Sequence, residues 1–130
     1  MVALVFGLLA LPACSSRTDP AELGQQFDLA IGQATSIAKD NLMVRFNQVI
    51  EDSRCPFGAL CIWEGRASAE IRLTKDGQIY TMVLIEPGHS ESRVEEYQNY
   101  RINYRILPYP KVGQTISKSD YRLELTITKR

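Results

Sequence analysis

Between Tyr121 and Thr128 every second residue is apolar: Tyr121, Leu123, Leu125 and Ile127 alternate with Arg122, Glu124, Thr126 and Thr128. Side chains of a strand point alternately to its two faces. The pattern therefore predicts a half-buried strand, with Leu123, Leu125 and Ile127 in the core and Arg122, Glu124 and Thr126 toward solvent. The same period recurs along the chain. Ala67, Ala69, Ile71 and Leu73 alternate with Ser68, Glu70 and Arg72, and Tyr100, Ile102, Tyr104 and Ile106 alternate with Arg101, Asn103 and Arg105. Lys75-Asp76-Gly77 predicts a turn with glycine where φ must be positive. The return strand, Gln78 to Ile85, is apolar on both faces and is expected in the centre of a sheet. Leu42, Val44 and Phe46 open a further strand whose phase slips near Gln48, which implies a β-bulge. Phe27, Leu29 and Ile31 give a weaker first strand. Ser90 to Tyr97 is the one window in which a helical turn fits. Six or seven short strands in one domain predict an all-β fold. The expected form is an antiparallel β-sandwich, immunoglobulin-like, with a small β-barrel as the alternative.

The front of the chain reads differently. Val2 to Ala13 is almost wholly apolar and leads into Leu11-Pro12-Ala13-Cys14-Ser15-Ser16. As a helix, residues 1–13 would span roughly 20 Å against a hydrocarbon core of about 30 Å, which suits a signal peptide better than an anchor. This stretch resembles the lipobox of bacterial lipoprotein precursors. The resemblance implies that residues 1–13 are removed and that Cys14, lipidated on its sulfur, becomes the first residue, tethered to a membrane. Ser15, where an Asp would resemble an inner-membrane retention signal, implies the periplasmic face of the outer membrane. No basic residue precedes Cys14, so the translational start is expected upstream of Met1. The alternative is an ordinary secretory signal that leaves Cys14 a free thiol.

Residues 14–26 are polar and carry Pro20 and Gly24. They are expected to form a tether, with residues 27–130 as the single domain. Fifteen basic and fifteen acidic residues balance, which gives no basic excess for nucleic acid and no polybasic block for anionic lipid. The expected contacts are the membrane, through the lipid, and an envelope protein partner.

Glu51 to Ala67 reads EDSRCPFGALCIWEGRA. Its Asp52, Ser53, Arg54, Cys55, Pro56, Cys61, Trp63, Gly65 and Ala67 resemble the shared pattern of a family of small, uncharacterised bacterial exported proteins and lipoproteins. That resemblance implies membership but no particular activity. If Cys14 carries lipid, Cys55 and Cys61 remain to pair in an oxidising compartment. Pro56 and Gly58 suit a tight reversal between them. A redox or metal role is the alternative, and the spacing is wider than that of a catalytic dithiol. Trp63 could pack on the disulfide, and Asp52 and Arg54 could pair with each other or hold the loop backbone. As a site, the candidate binding loop comprises Asp52, Arg54, Phe57, Leu60 and Trp63.

No catalytic constellation, metal-ligand set or cofactor motif is recognisable. His89 is the only histidine and is expected exposed in a loop. Glu86, Glu91, Glu95 and Glu96 read as a solvated acidic loop rather than a calcium site. Tyr97, Tyr100, Tyr104 and Tyr109 could join Trp63 in an aromatic platform, with core packing the default. The expectation is therefore a binding or structural module of the envelope. A small inhibitor or ligand-binding sandwich is the alternative, and an enzyme comes last.

Overall fold

The computed structural model describes residues 19–89 and 92–130. Cys14 and the 1–13 leader lie outside them. The strands are β1 (Gln26–Ala30), β2 (Ala34–Ile37), β3 (Leu42–Asp52), β4 (Arg66–Lys75), β5 (Gln78–Pro87), β6 (Arg93–Tyr97), β7 (Tyr100–Leu107) and β8 (Arg122–Lys129), with one 3-10 turn at Lys118–Asp120. They form two antiparallel four-stranded sheets, ordered β1-β8-β7-β6 (sheet I) and β2-β3-β4-β5 (sheet II). The sheets pack face to face as a sandwich, without closing into a barrel. Each sheet is a run of sequential neighbours, closed in sheet I by β1 pairing with β8.

Alternation determines the core. Leu123, Leu125 and Ile127 of β8 and Tyr100, Ile102, Tyr104 and Ile106 of β7 are buried against Ala67, Ala69, Ile71 and Leu73 of β4 and Val44 and Phe46 of β3. Arg122 is exposed, and Glu124 and Thr126 are only half-buried on the outer face. The β4–β5 turn is Asp76-Gly77, with φ of 49° and 78°, which matches the twist a two-residue hairpin requires.

Four local features depart from or add to the expectation. First, Gln78 to Ile85 is not central: β5 is an edge of sheet II, where Leu84 points inward and Ile79, Val83 and Ile85 stay exposed. Apolar residues on both faces read alike at an edge and a centre. Second, Arg93–Tyr97 is an edge strand, not a helical turn, because it pairs with Tyr100–Tyr104 across a tight turn. Third, β2 had no sequence signal; its ATSI run is too short for one. Fourth, the tether does not run free to Gln26. Ala21 is buried, bridges in parallel to Ile37 and donates its N–H to the Ser36 carbonyl at 2.9 Å.

The slip in β3 is real and is double, with register shifts at Phe46/Gln48 and at Val49/Glu51. Each extra residue reverses which face the following side chains occupy. Two slips return the chain to phase, so Asp52 lands opposite the buried Ala67 and points inward.

Candidate functional site

Beyond Asp52 the chain leaves sheet II as a neck of paired backbone. Ser53 N–H donates to the Arg66 carbonyl and Cys55 N–H to the Glu64 carbonyl, both at 2.8 Å. Gly65 sits at φ +69°, and a Cβ there would lie 1.8 Å from the Ser53 carbonyl oxygen. Only glycine fits that approach. On the other side Gly88 N–H donates to the Gly65 carbonyl at 2.9 Å.

Under the neck lies a buried ionic network. Arg54, 3% exposed, donates from Nε to Asp52 Oδ1 and from Nη2 to Asp52 Oδ2, both at 2.8 Å. Its Nη1 donates to the Ile106 carbonyl at 2.7 Å and its Nη2 to the Pro108 carbonyl at 3.0 Å. Tyr121 Oη donates to Asp52 Oδ2 at 2.9 Å. Glu86 Oε2 lies 3.9 Å from Arg54 Nη1 and accepts the Ile106 N–H at 2.6 Å. A planar guanidinium satisfies these acceptors together, which a lysine could not. Burial pushes the Asp52 carboxyl up, but the hydrogen bonds and charge of Arg54, aided by Tyr121, more than offset it and hold it below the usual carboxylate range. Glu86 moves the other way: burial raises it, and the Ile106 N–H and Arg54 only partly counter. Burial first, and then Asp52, push the Tyr121 phenol up to about 12.

Above this base the loop is held on several sides. Cys55 and Cys61 are joined by a disulfide with Cα atoms 5.9 Å apart. Phe57 N–H donates to the Pro110 carbonyl at 2.8 Å, and Val112 N–H returns to the Phe57 carbonyl at 3.3 Å. Tyr109 Oη donates to the Cys55 carbonyl at 2.8 Å and accepts the His89 N–H at 3.1 Å, while the Arg54 guanidinium stacks 5.1 Å from its ring.

The side chains at the tip are exposed. Leu60 and Ile62 are fully so, at 105% and 110%, and Phe57, Trp63 and Val112 are exposed at 73%, 62% and 59%. Trp63 therefore does not cap the core. Asp52 and Arg54, expected among the binding residues, are corrected: they pair inside and position the loop. Phe57, Leu60 and Trp63 are exposed, and so are Ile62 and Val112, which the sequence had not singled out. Ile62 follows a cysteine in a segment without period, and Val112 reaches the loop through the Phe57–Lys111 bridge and its own N–H bond to the Phe57 carbonyl, far along the chain.

The other candidates separate. His89 is exposed as expected. Glu86 is buried inside β5 and Glu95 and Glu96 are exposed on β6, so they do not share one acidic loop; Glu91 lies outside the described residues. Tyr97, Tyr100 and Tyr104 belong to the core rather than to a platform, and Tyr104 Oη donates to the Ile85 carbonyl at 2.7 Å. Comparison of the chain with protein-family models, with curated proteins and with solved structures returns no match.

Proposed function

We propose that this chain is a lipid-anchored lipoprotein of the bacterial envelope, on the periplasmic face of the outer membrane, and that its sandwich serves as a binding module rather than an enzyme. The binding surface is the tip of the Cys55–Cys61 loop. One observation carries the reading: Phe57, Leu60, Ile62 and Trp63 are exposed together on a loop whose backbone is tied by a disulfide and by the Arg54 base. Exposed apolar side chains in one patch mark interaction sites. A loop already ordered loses little further entropy when it binds.

Two experiments test this. In the first, wild type is fractionated beside Cys14→Ala. Wild type should follow the membrane and the variant should become soluble; soluble wild type would refute the anchor. In the second, the tagged, lipidated protein is captured from envelope extracts with whatever it holds. Phe57→Ala and Leu60→Ala should lose that material at an unchanged melting temperature. Recovery equal to wild type would refute the loop as the binding surface.

A second reading rests on β5. Its Gln78–Ile85 stretch carries no charge, and no described strand pairs with its outer edge. Edges of this kind are normally guarded by charge. Assembly through β5 would give a concentration-dependent dimer in light scattering that Val83→Lys abolishes. A wild-type monomer at high concentration would exclude it.

A further inference from the structure

We infer that the apolar tip of the Cys55–Cys61 loop inserts into the interface of the same bilayer that holds the Cys14 lipid. This rests on the proposed anchoring and names the loop's partner as a lipid surface.

The direction of the chain supports it. Thr35 Oγ1 donates to the Asp19 carbonyl at 3.0 Å, and Ala21 bridges Ile37 in parallel. Residues 19–21 therefore run alongside 35–37 in the same sense. In β2, Ala34 pairs with Arg45 and Ile37 with Leu42. Moving upstream from Ala21 to Asp19 is thus movement toward the Asp52 end of β3, the end that carries the loop. Thr35 is level with Val44 and Leu73, while the loop base is level with Ala67. That offset along β4 is about 20 Å at roughly 3.3 Å per residue. The chain from Cys14 to Asp19 reaches at most about 17 Å. Continued in that sense and fully extended, the chain would bring Cys14 to about 3 Å short of the level of the loop base, so a bilayer that holds its lipid at that end faces the loop.

The chemistry of the tip suits that surface. Leu60, Ile62, Phe57 and Val112 supply hydrocarbon, and Trp63 is the residue type that settles at the level of lipid headgroups. The exposed charges next to the tip are Lys111 and Glu64, of opposite sign. Insertion should therefore depend little on anionic lipid or on salt.

Trp63 is the only tryptophan in the chain, so its fluorescence reports the loop alone. The lipidated protein is reconstituted into phosphatidylethanolamine–phosphatidylglycerol vesicles with and without brominated acyl chains. Bromolipid should quench Trp63, and aqueous iodide should lose access to it. Leu60→Ser/Ile62→Ser should restore iodide access and lose bromolipid quenching while remaining vesicle-bound. Wild-type Trp63 that stays open to iodide and unquenched by bromolipid overturns the insertion. Shielding from both quenchers also overturns it, because the tip is then buried in protein. The mass of the N-terminal peptide reads the anchor separately. Acylated Cys14 with water-exposed Trp63 refutes insertion alone, and an unacylated N-terminus refutes the anchoring from which insertion follows.

Discussion

Arg54 grips Asp52 with two parallel hydrogen bonds of 2.8 Å while its remaining donors hold the carbonyls of Ile106 and Pro108. One side chain thus ties the end of β3 to the end of β7, on the other sheet. Lysine keeps the charge but cannot reach all of these acceptors at once, so Arg54→Lys leaves buried acceptors unmatched. It should cost about 1–3 kcal/mol of unfolding free energy, measured by urea titration. A loss within the range of ordinary surface substitutions would show that the network is dispensable.

Asp52 and Glu86 should respond to pH with opposite signs. Asp52 has its folded-state pKa held below the ordinary 3.8, since Arg54 outweighs the upward push of burial. Its stabilisation is complete above that value and is lost as pH falls toward the folded-state value. Glu86 has its folded-state pKa raised above 4.5, chiefly by burial. The folded chain therefore keeps a proton that the unfolded chain releases, and stability declines as pH rises through that interval. Glu86→Gln should gain stability relative to wild type as pH rises from about 4 to 7. Parallel stability curves for the two proteins would contradict this.

Two glycines with similar backbone angles should respond differently to alanine. Gly77 has φ of +78° with open space around it, so Gly77→Ala should cost about 1–2 kcal/mol for the left-handed conformation alone. Gly65 has φ of +69° and the Ser53 carbonyl in the way. Gly65→Ala should cost that and more, and should loosen the loop neck in hydrogen exchange. Equal costs would mean that the neck yields freely.

Leu125 is fully buried, while its neighbour Glu124 lies on the outer face. Leu125→Ala should cost about 2–5 kcal/mol and Glu124→Ala close to nothing. Calorimetry of the two variants checks the face assignment, and similar melting temperatures would contradict it.

Loss of the Cys55–Cys61 bridge should cost about 2 kcal/mol on the chain-entropy account of a short loop. Thiol labelling of denatured, unreduced protein should find neither cysteine free. Two reactive thiols would reopen the metal reading.

Alternation made the sandwich legible: wherever one face is wet and one dry, as in β4, β7 and β8, side-chain direction follows from the period. It failed where that contrast is absent. β5 is apolar on both faces whether or not a neighbour covers it. In β6 only Tyr97 is buried, so the polarity of RVEEY hides a strand. The pairing of Asp52 with Arg54 was readable from their spacing. The carbonyls of Ile106 and Pro108 that draw Arg54 inside lie far along the chain and carry no local mark. Hence Asp52 and Arg54 pair inside, beneath the loop, while the exposed Ile62 carries no periodic signal.

Arg54 holds the loop from below, and the proposed function assigns the binding to the apolar tip above it. The most direct measurement sets the urea midpoint of Phe57→Ala/Leu60→Ala beside its retention of the material captured from envelope extracts, with Arg54→Lys in parallel. The tip variant should unfold like wild type, its surface changes within about 0.5 kcal/mol, and should lose binding, whereas Arg54→Lys should be destabilised. A tip variant that melts the fold, or that binds as wild type does, would contradict the account.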